Sequence, residues 1–203
     1  MTLAQDIRAG IGEMGVALRR PEEFAVRWRD RHQGAVAPKP IVFGVLLVNA
    51  VAGLAAYGLS MGLSGGVWTM LEGAWKAPLA AGIAWTVALP ALYIINGALG
   101  SKLDASTTLL AALATVSFGA LAMLAGVPIT WFFNVAVPSA AVQLLVQLVT
   151  FAGVGVCMVD VFLRTMKALE PERGRFFPLV WIALVGVIGT ELMVFLELFH
   201  FAR

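Results

Sequence analysis

The stretch that decides the fold is TTLLAALATVSFGALAMLA, from Thr107 to Ala125, which contains no charged residue. It lies inside a longer uncharged run at 105–159, and two further uncharged runs cover 40–71 and 77–101. Each run reaches the roughly 20 residues that a helix needs to cross the hydrocarbon core of a bilayer. The sequence therefore predicts several membrane-spanning helices.

The composition of the whole chain agrees with this prediction. Of its 203 residues, 60% are hydrophobic and 13% are charged, whereas soluble domains have roughly 45–50% and about 25%. The mean hydropathy is +0.89. These values exclude a water-soluble enzyme with a polar surface. The predicted fold class is all-α, a polytopic transmembrane helix bundle.

The uncharged runs divide most naturally into five spans, and the fifth contains two acids, Glu191 and Glu197. The predicted spans are Ile41–Met61, Ala77–Leu99, Thr107–Ala125, Ala140–Leu163 and Phe177–Phe199. The segment 65–75 resembles a short helix on the outer surface. The segment 128–138 is rich in aromatic residues and prolines, which favours an irregular connection that could dip into the membrane.

Basic residues are distributed unevenly between the two predicted sides of the membrane. Twelve lysines and arginines fall in the segments on the N-terminal side, and only Lys76 and Arg203 fall on the other. By the positive-inside rule, the N-terminus is expected in the cytoplasm and the C-terminus outside. The sequence thus predicts a multi-pass protein of the bacterial cytoplasmic (inner) membrane, with a cytoplasmic or interfacial region at 1–40 and a transmembrane domain at 41–203.

The N-terminal region is predicted to form two short amphipathic helices. Apolar residues recur at intervals of three and four from Leu3 to Leu18, and a second helix is expected to begin at Pro21. These helices could lie on the anionic headgroups of the cytoplasmic leaflet or pack on the protein itself. An anionic membrane is a sufficient partner for the basic residues, so nucleic acid is not expected. The candidate membrane-surface residues are Arg19, Arg20, Phe24, Arg27, Trp28, Arg29 and Arg31.

Glu191 is the most unusual residue of the predicted spans. It lies about 14 residues into the last span, or roughly 21 Å along a helix, near the middle of the membrane. Acids at this depth are costly and usually face a bundle interior. Glu191 could be a proton or cation site, or a neutral carboxyl that fixes helix packing. The candidate intramembrane polar site comprises Glu191, Asn96, Gln143, Gln147 and Asp160.

The four residues other than Glu191 have simpler local interpretations. Asp160 precedes Arg164 by four residues, which favours an ion pair that anchors the end of a helix. The polar and small residues of the other spans form stripes typical of helix packing. The stripe of the first span comprises Asn49, Gly53, Tyr57 and Ser60. The stripes would form a central polar pocket only if they converged on Glu191.

Cofactors, metals and catalysis are not expected. The single cysteine, Cys157, lies inside an apolar run and is interpreted as a buried packing residue, and the two histidines are far apart in the chain. Motifs for phosphate binding, hydrolysis or haem attachment are absent from the sequence. The prediction is therefore a protein that is not an enzyme.

Several short motifs resemble those of bacterial membrane proteins of the Yip-domain type, in an uncharacterised branch. These motifs are Leu18-Arg-Arg-Pro21-Glu-Glu-Phe24, Lys76-Ala-Pro78 and Leu99-Gly100-Ser-Lys102, together with the five-span layout. The resemblance implies five helices and an interfacial N-terminus, and it supplies no catalytic residues. The small GTPase partners of the eukaryotic members do not carry over, because the N-terminal region has no motif for them.

The leading functional hypothesis is a non-enzymatic integral membrane protein that acts as a homo-oligomer or as a subunit or scaffold of a membrane assembly. The alternative is a small ion or proton-coupled channel or transporter that uses Glu191. A hydrated cavity at Glu191 would favour transport, and dry packing around it would favour the scaffold. A lipid-modifying enzyme with a site at 131–134 ranks third.

Overall fold

The computed structural model describes residues 3–30, 37–98, 100–137, 139–172 and 176–197. The helices of this part of the chain are α1 (Leu3–Arg19), α2 (Pro21–Arg29), α3 (Lys39–Met61), α4 (Val67–Ala98), α5 (Ala105–Ala136), α6 (Ala140–Leu169) and α7 (Phe176–Phe195). A short 3₁₀ turn, Leu63–Gly65, lies between α3 and α4. The predicted all-α fold class is confirmed.

Four helices, α3 to α6, are long and apolar enough to cross a membrane. The chain is therefore a multi-pass membrane protein. The fifth predicted span, Phe177–Phe199, overlaps α7, which ends earlier, at Phe195, and residues 198–199 lie outside the described part of the chain. The apolar part of α7, Leu179–Phe195, is shorter than the other four helices.

Two predicted boundaries are wrong, because the helices are longer than the spans that were expected. The separate surface helix expected at 65–75 is largely the first part of α4, which runs without interruption from Val67 to Ala98. The irregular connection expected at 128–138 is helical as far as Ala136, and Pro128 lies inside α5. Proline is tolerated in membrane helices because neighbouring helices and local adjustments satisfy the freed backbone groups.

Helix α3 lies at the centre of the packing, because it contacts both α4 and α5, while α6 packs on α5 and α7 packs on α4 and α6. Glycines allow the close approaches of α3. A methyl group added at Gly53 would lie 2.5 Å from the carbonyl oxygen of Ala120 in α5, and Gly58 faces the backbone of Gly73 in α4. Small residues at such crossings let the helix backbones come into contact.

The helices α1 and α2 pack on one end of the bundle, which we call the N-terminal end. Phe24 is fully buried and Trp28 is 4% exposed, in a cluster with apolar residues of α3 and α5. Arg29 of α2 donates a hydrogen bond of 2.8 Å from Nη1 to the carbonyl oxygen of Leu169, at the C-terminus of α6. This bond satisfies a carbonyl group that the helix itself leaves unpaired. The N-terminal region is thus tied directly to the last turn of α6.

Candidate functional site

Glu191 lies on the exposed side of α7. The opposite side of this helix is fixed by Trp181, which is 2% exposed, stacks on Phe162 at 4.9 Å and donates a 2.9 Å hydrogen bond to the carbonyl oxygen of Ala88. Ile182 is also buried. At about 100° per residue, the nine steps from Ile182 to Glu191 make about two and a half turns, so the two side chains lie on opposite sides of the helix. Glu191 therefore points away from the bundle.

The structure does not bring the other predicted polar residues to Glu191. Asn96 is buried near the end of α4, at the N-terminal end of the bundle, whereas Gln147 is buried near the start of α6, at the opposite end. Gln143 donates a long hydrogen bond of 3.5 Å to the carbonyl oxygen of Val137. These side chains belong to separate parts of the bundle rather than to one central pocket.

Asp160 forms the ion pair that its spacing predicts. Its Oδ2 lies 2.9 Å from Nε of Arg164, and both side chains are largely exposed. Arg164 also approaches Glu22 of α2, with 3.8 Å between Nη1 and Oε2. These three charged side chains thus help to hold α2 beside the end of α6.

The polar stripe of α3 is a packing surface. Asn49 donates through Nδ2 to both Oγ (2.6 Å) and the carbonyl oxygen (2.9 Å) of Ser117 in α5. Farther along, Ser60 bonds to the carbonyl oxygen of Tyr57 and receives on its own carbonyl a 2.9 Å bond from Asn134. The stripe therefore joins α3 to α5, as the packing interpretation predicts.

A cluster of buried hydroxyl groups was missed by the sequence reasoning. The Tyr57 hydroxyl lies near the hydroxyls of Thr130 in α5 and Thr150 in α6 but forms no hydrogen bond of normal geometry with the residues that the structure describes. The Tyr57 ring packs edge-on against Phe151 at 5.5 Å. Tyr57 is 1% and Thr130 is 2% exposed. Tyr57 belonged to the predicted stripe of α3, but its two neighbours come from distant segments of the chain, and no local sequence pattern indicated them.

The candidate membrane-surface residues divide into two groups. Phe24 and Trp28 face the bundle. These two rings therefore pack on the protein itself and do not lie on the lipid headgroups. Arg19 and Arg20 are exposed, and Arg27 pairs with Glu13. Arg31 lies outside the described residues.

Arg29 and Asp30, at the end of α2, form an ion pair with each other. The hydrogen bond from Nε of Arg29 to Oδ1 of Asp30, 2.8 Å long, lowers the pKa of Asp30 and raises the pKa of Arg29. Arg29 also holds the Leu169 carbonyl, so its guanidinium joins α2 to α6. It acts in folding contacts as well as carrying surface charge.

Glu13 of α1 is a buried acid at the junction between the two N-terminal helices. It is 4% exposed, and its carboxylate lies 3.6 Å from Nη1 of Arg27 and accepts a 3.4 Å hydrogen bond from Nε1 of Trp28. A charge this well covered requires partners. Glu13 therefore fixes α1 against α2.

Asp104 caps the N-terminus of α5 and carries a pKa shift. Its side chain accepts a hydrogen bond from the backbone N–H of Thr107. Burial acts to raise the pKa of Asp104, but hydrogen bonds from Ser106 and Thr107 and the charge of Lys39 outweigh burial and lower the pKa to about 2. Lys39 also donates a 2.9 Å bond to Ser106, so this cap joins the starts of α3 and α5.

Asp104→Ala is expected to cost about 1 kcal/mol of stability at neutral pH through loss of the cap. Because the pKa is lower in the folded state than the usual value of about 3.9, the ionised cap stabilises fully above about pH 4 and loses its effect as the pH falls toward 2. Asp104→Asn keeps a capping side chain, and its unfolding in detergent should show less acid sensitivity in this window. Equal acid sensitivity of Asp104→Asn and the unaltered protein would contradict the assignment.

Cys157 is exposed on α6, so the prediction of a buried packing residue is wrong. The uncharged run around it indicates burial in lipid or protein without distinguishing the two, and this side of α6 faces outward. The most apolar stretch of α6 is only 11% buried within the bundle.

Comparison of the chain with protein-family models, with curated proteins and with solved structures gives no match.

Proposed function

We propose that this protein is a non-enzymatic protein of the bacterial inner membrane that acts by helix association, with further copies of itself or with other membrane subunits. The observation that carries this proposal is the position of Glu191 on the outward side of α7. An acid costs about 2.5–3.5 kcal/mol at the centre of a membrane helix on insertion scales, and this is an upper value for Glu191, which lies four residues before the end of α7. A second helix that covers Glu191 would remove that cost.

The residues around Glu191 suit a helix contact. We define the association surface as the exposed residues that share its side of α7, namely Leu184, Val187, Glu191, Val194 and Phe195. At about 100° per residue, each of them lies within a quarter of a turn of Glu191. Their apolar side chains can pack against a neighbouring helix, and a carboxyl can form a hydrogen bond across the contact. The outward side of α6 offers a further apolar surface of the same kind.

The proposed topology has five crossings, with α7 as the fifth, the N-terminus in the cytoplasm and the C-terminus outside. The N-terminal end of the bundle carries the basic residues of α1, α2 and the end of α6, whereas Lys76 near the other end is paired with Glu72 at 3.0 Å. This asymmetry supports the assignment. The relationship to Yip-domain-type membrane proteins is part of the same proposal, and it rests on the sequence motifs.

The channel or transporter alternative would also depend on association. Because Glu191 faces away from the bundle, a polar path to it within one copy would have to run along the outside. The apolar crevice between α3, α4 and α5, with a volume of about 210 Å³, does not include Glu191. Glu191 could line a path only where several copies or subunits surround it.

Replacing Glu191 with leucine is expected to weaken the assembly. Loss of one hydrogen bond between helices, worth about 1–2 kcal/mol, corresponds to roughly tenfold weaker association. The measurement is the mass of the particle in mild detergent, by size-exclusion chromatography with light scattering, over a range of protein concentrations. We expect an oligomer or complex for the unaltered protein and a shift toward monomer for Glu191→Leu.

A matched control is Glu172→Leu, which removes an exposed acid just after α6. This variant should assemble like the unaltered protein. A stable monomer that copurifies with nothing would contradict the proposal. If Glu191→Leu assembles normally, Glu191 does not take part in the association.

A further inference from the structure

Helix α1 lies at the depth where the first span begins. A methyl group added at Gly10 would lie 2.9 Å from Cγ2 of Ile41 and 3.2 Å from Cγ2 of Val45, two residues in the first two turns of α3. The start of α3 is close to one face of the bilayer, because α3 is one of the four helices able to cross it. Helix α1 is therefore beside the membrane boundary rather than free in water.

Three large apolar side chains of α1 are exposed at this boundary. Leu3, Ile7 and Ile11 are 71%, 43% and 52% exposed. They are spaced by four residues, so they form a continuous strip along the helix. At about 100° per residue, the strip lies directly beside the side of α1 that Gly10 and Ala17 bury against the bundle. We call these three residues the α1 strip.

Two arginines border the α1 strip on its other side. Arg8 and Arg19 are exposed, and at the same rotation per residue they follow Ile11 around the helix. Glu13, by contrast, is buried and paired with Arg27. The order around the helix is therefore protein contact, apolar strip and basic residues, which suits a helix held in the interface of an anionic membrane.

We propose that the α1 strip is inserted in the hydrocarbon boundary of the leaflet at the N-terminal end, with Arg8 and Arg19 among its anionic headgroups. Helix α2 has a different task, because Phe24 and Trp28 turn inward and hold the helix pair on the bundle. The occupant of the strip is lipid, since the adjacent side of α1 packs through Gly10 on Ile41 and Val45, which belong to a span that the bilayer surrounds. This inference does not depend on assembly through Glu191.

The test uses the full chain in nanodiscs, with Cys157→Ser to remove the native thiol. A single cysteine replaces Ile7 or Ile11 and is labelled with an environment-sensitive dye. Gly12→Cys is the matched control, because Gly12 is exposed on the polar side and a methyl group there would meet no atom within 4 Å. Quenching by phosphatidylcholine brominated on its acyl chains reports contact with hydrocarbon, and quenching by iodide reports contact with water.

We expect lipid quenching at least threefold stronger at positions 7 and 11 than at position 12, and the reverse order for iodide. Equal access of iodide to all three positions would overturn the proposal, because the strip would then lie in water. Protection of positions 7 and 11 from both quenchers would also overturn it, because protein, such as a second copy, would then cover the strip.

The arginines are tested in the same nanodiscs by adding phosphatidylglycerol to the phosphatidylcholine. Lipid quenching at position 7 should increase with the anionic lipid, and the increase should fall by at least half when Arg8 and Arg19 are both replaced by glutamine. High salt should have the same effect as the double replacement. No dependence on the anionic lipid would overturn the headgroup part of the proposal.

Discussion

Replacing Gly58 with leucine should destabilise the bundle by about 3 kcal/mol or more, the upper end of the range for overpacked positions. The reason is the crossing of α3 and α4, where a Cβ atom at Gly58 would overlap the backbone carbonyl of Gly73. Backbone cannot turn aside as a flexible side chain can, so the two helices would have to separate. Unfolding of the detergent-solubilised protein by sodium dodecyl sulfate measures the loss.

Gly44 of the same helix is the matched control. It is exposed, and a methyl group there would meet nothing within 4 Å. Leucine favours a helix over glycine by up to about 1 kcal/mol, so Gly44→Leu should be neutral or slightly stabilising. If Gly58→Leu and Gly44→Leu unfold alike, the close crossing of α3 and α4 is not what stabilises the bundle.

Replacing Glu13 with alanine should release α1 from the bundle, at a cost of about 2 kcal/mol. The replacement leaves Nε1 of Trp28 without its carboxylate acceptor and Arg27 without its buried partner. This cost lies below the roughly 3–5 kcal/mol lost when one partner of a fully buried ion pair is removed, because the Arg27 side chain is 31% exposed. Amide hydrogen exchange in α1 should become about thirtyfold faster, while exchange in α5 stays unchanged.

The control for this prediction is Glu23→Ala. Glu23 pairs with Arg20 at 3.2 Å, but both side chains are more than half exposed, and such pairs contribute little. Exchange in α1 should then change by less than about twofold. Equal effects of Glu13→Ala and Glu23→Ala would show that burial of the Glu13 carboxylate does not hold α1.

The positions of the membrane helices follow from the sequence better than their ends do. An uncharged run of 20 or more residues has few alternatives to crossing a membrane, so α3 to α6 were located correctly. The ends were misjudged at 65–75 and 128–138, because glycine and proline break helices more readily in water than beside other helices in a bilayer.

The direction of a side chain around its helix was the harder prediction. Glu191 stands out in the sequence as an acid in an apolar run, but its outward position depends on how Trp181 packs against Phe162 and Ala88. Those partners lie in α6 and α4, and no local pattern links them to α7. Likewise, the apolar sides of Phe24 and Trp28 could suit either lipid or protein, and only the fold distinguishes these surfaces.

The unequal lengths of the helices have a consequence for the membrane that suits this protein. Helices α4 and α5 each have 32 residues, about 48 Å of helix, against about 30 Å of hydrocarbon. A typical tilt of about 20° shortens this length by only about 3 Å. About ten residues of each helix therefore project through the headgroup layer opposite the N-terminal end, where Trp68 and Trp131 are exposed. The projecting start of α4 also carries the Glu72–Lys76 ion pair, which a much thicker hydrocarbon layer would bury. Hydrophobic mismatch therefore favours a membrane of ordinary thickness, in which this aromatic collar lies at the headgroup layer.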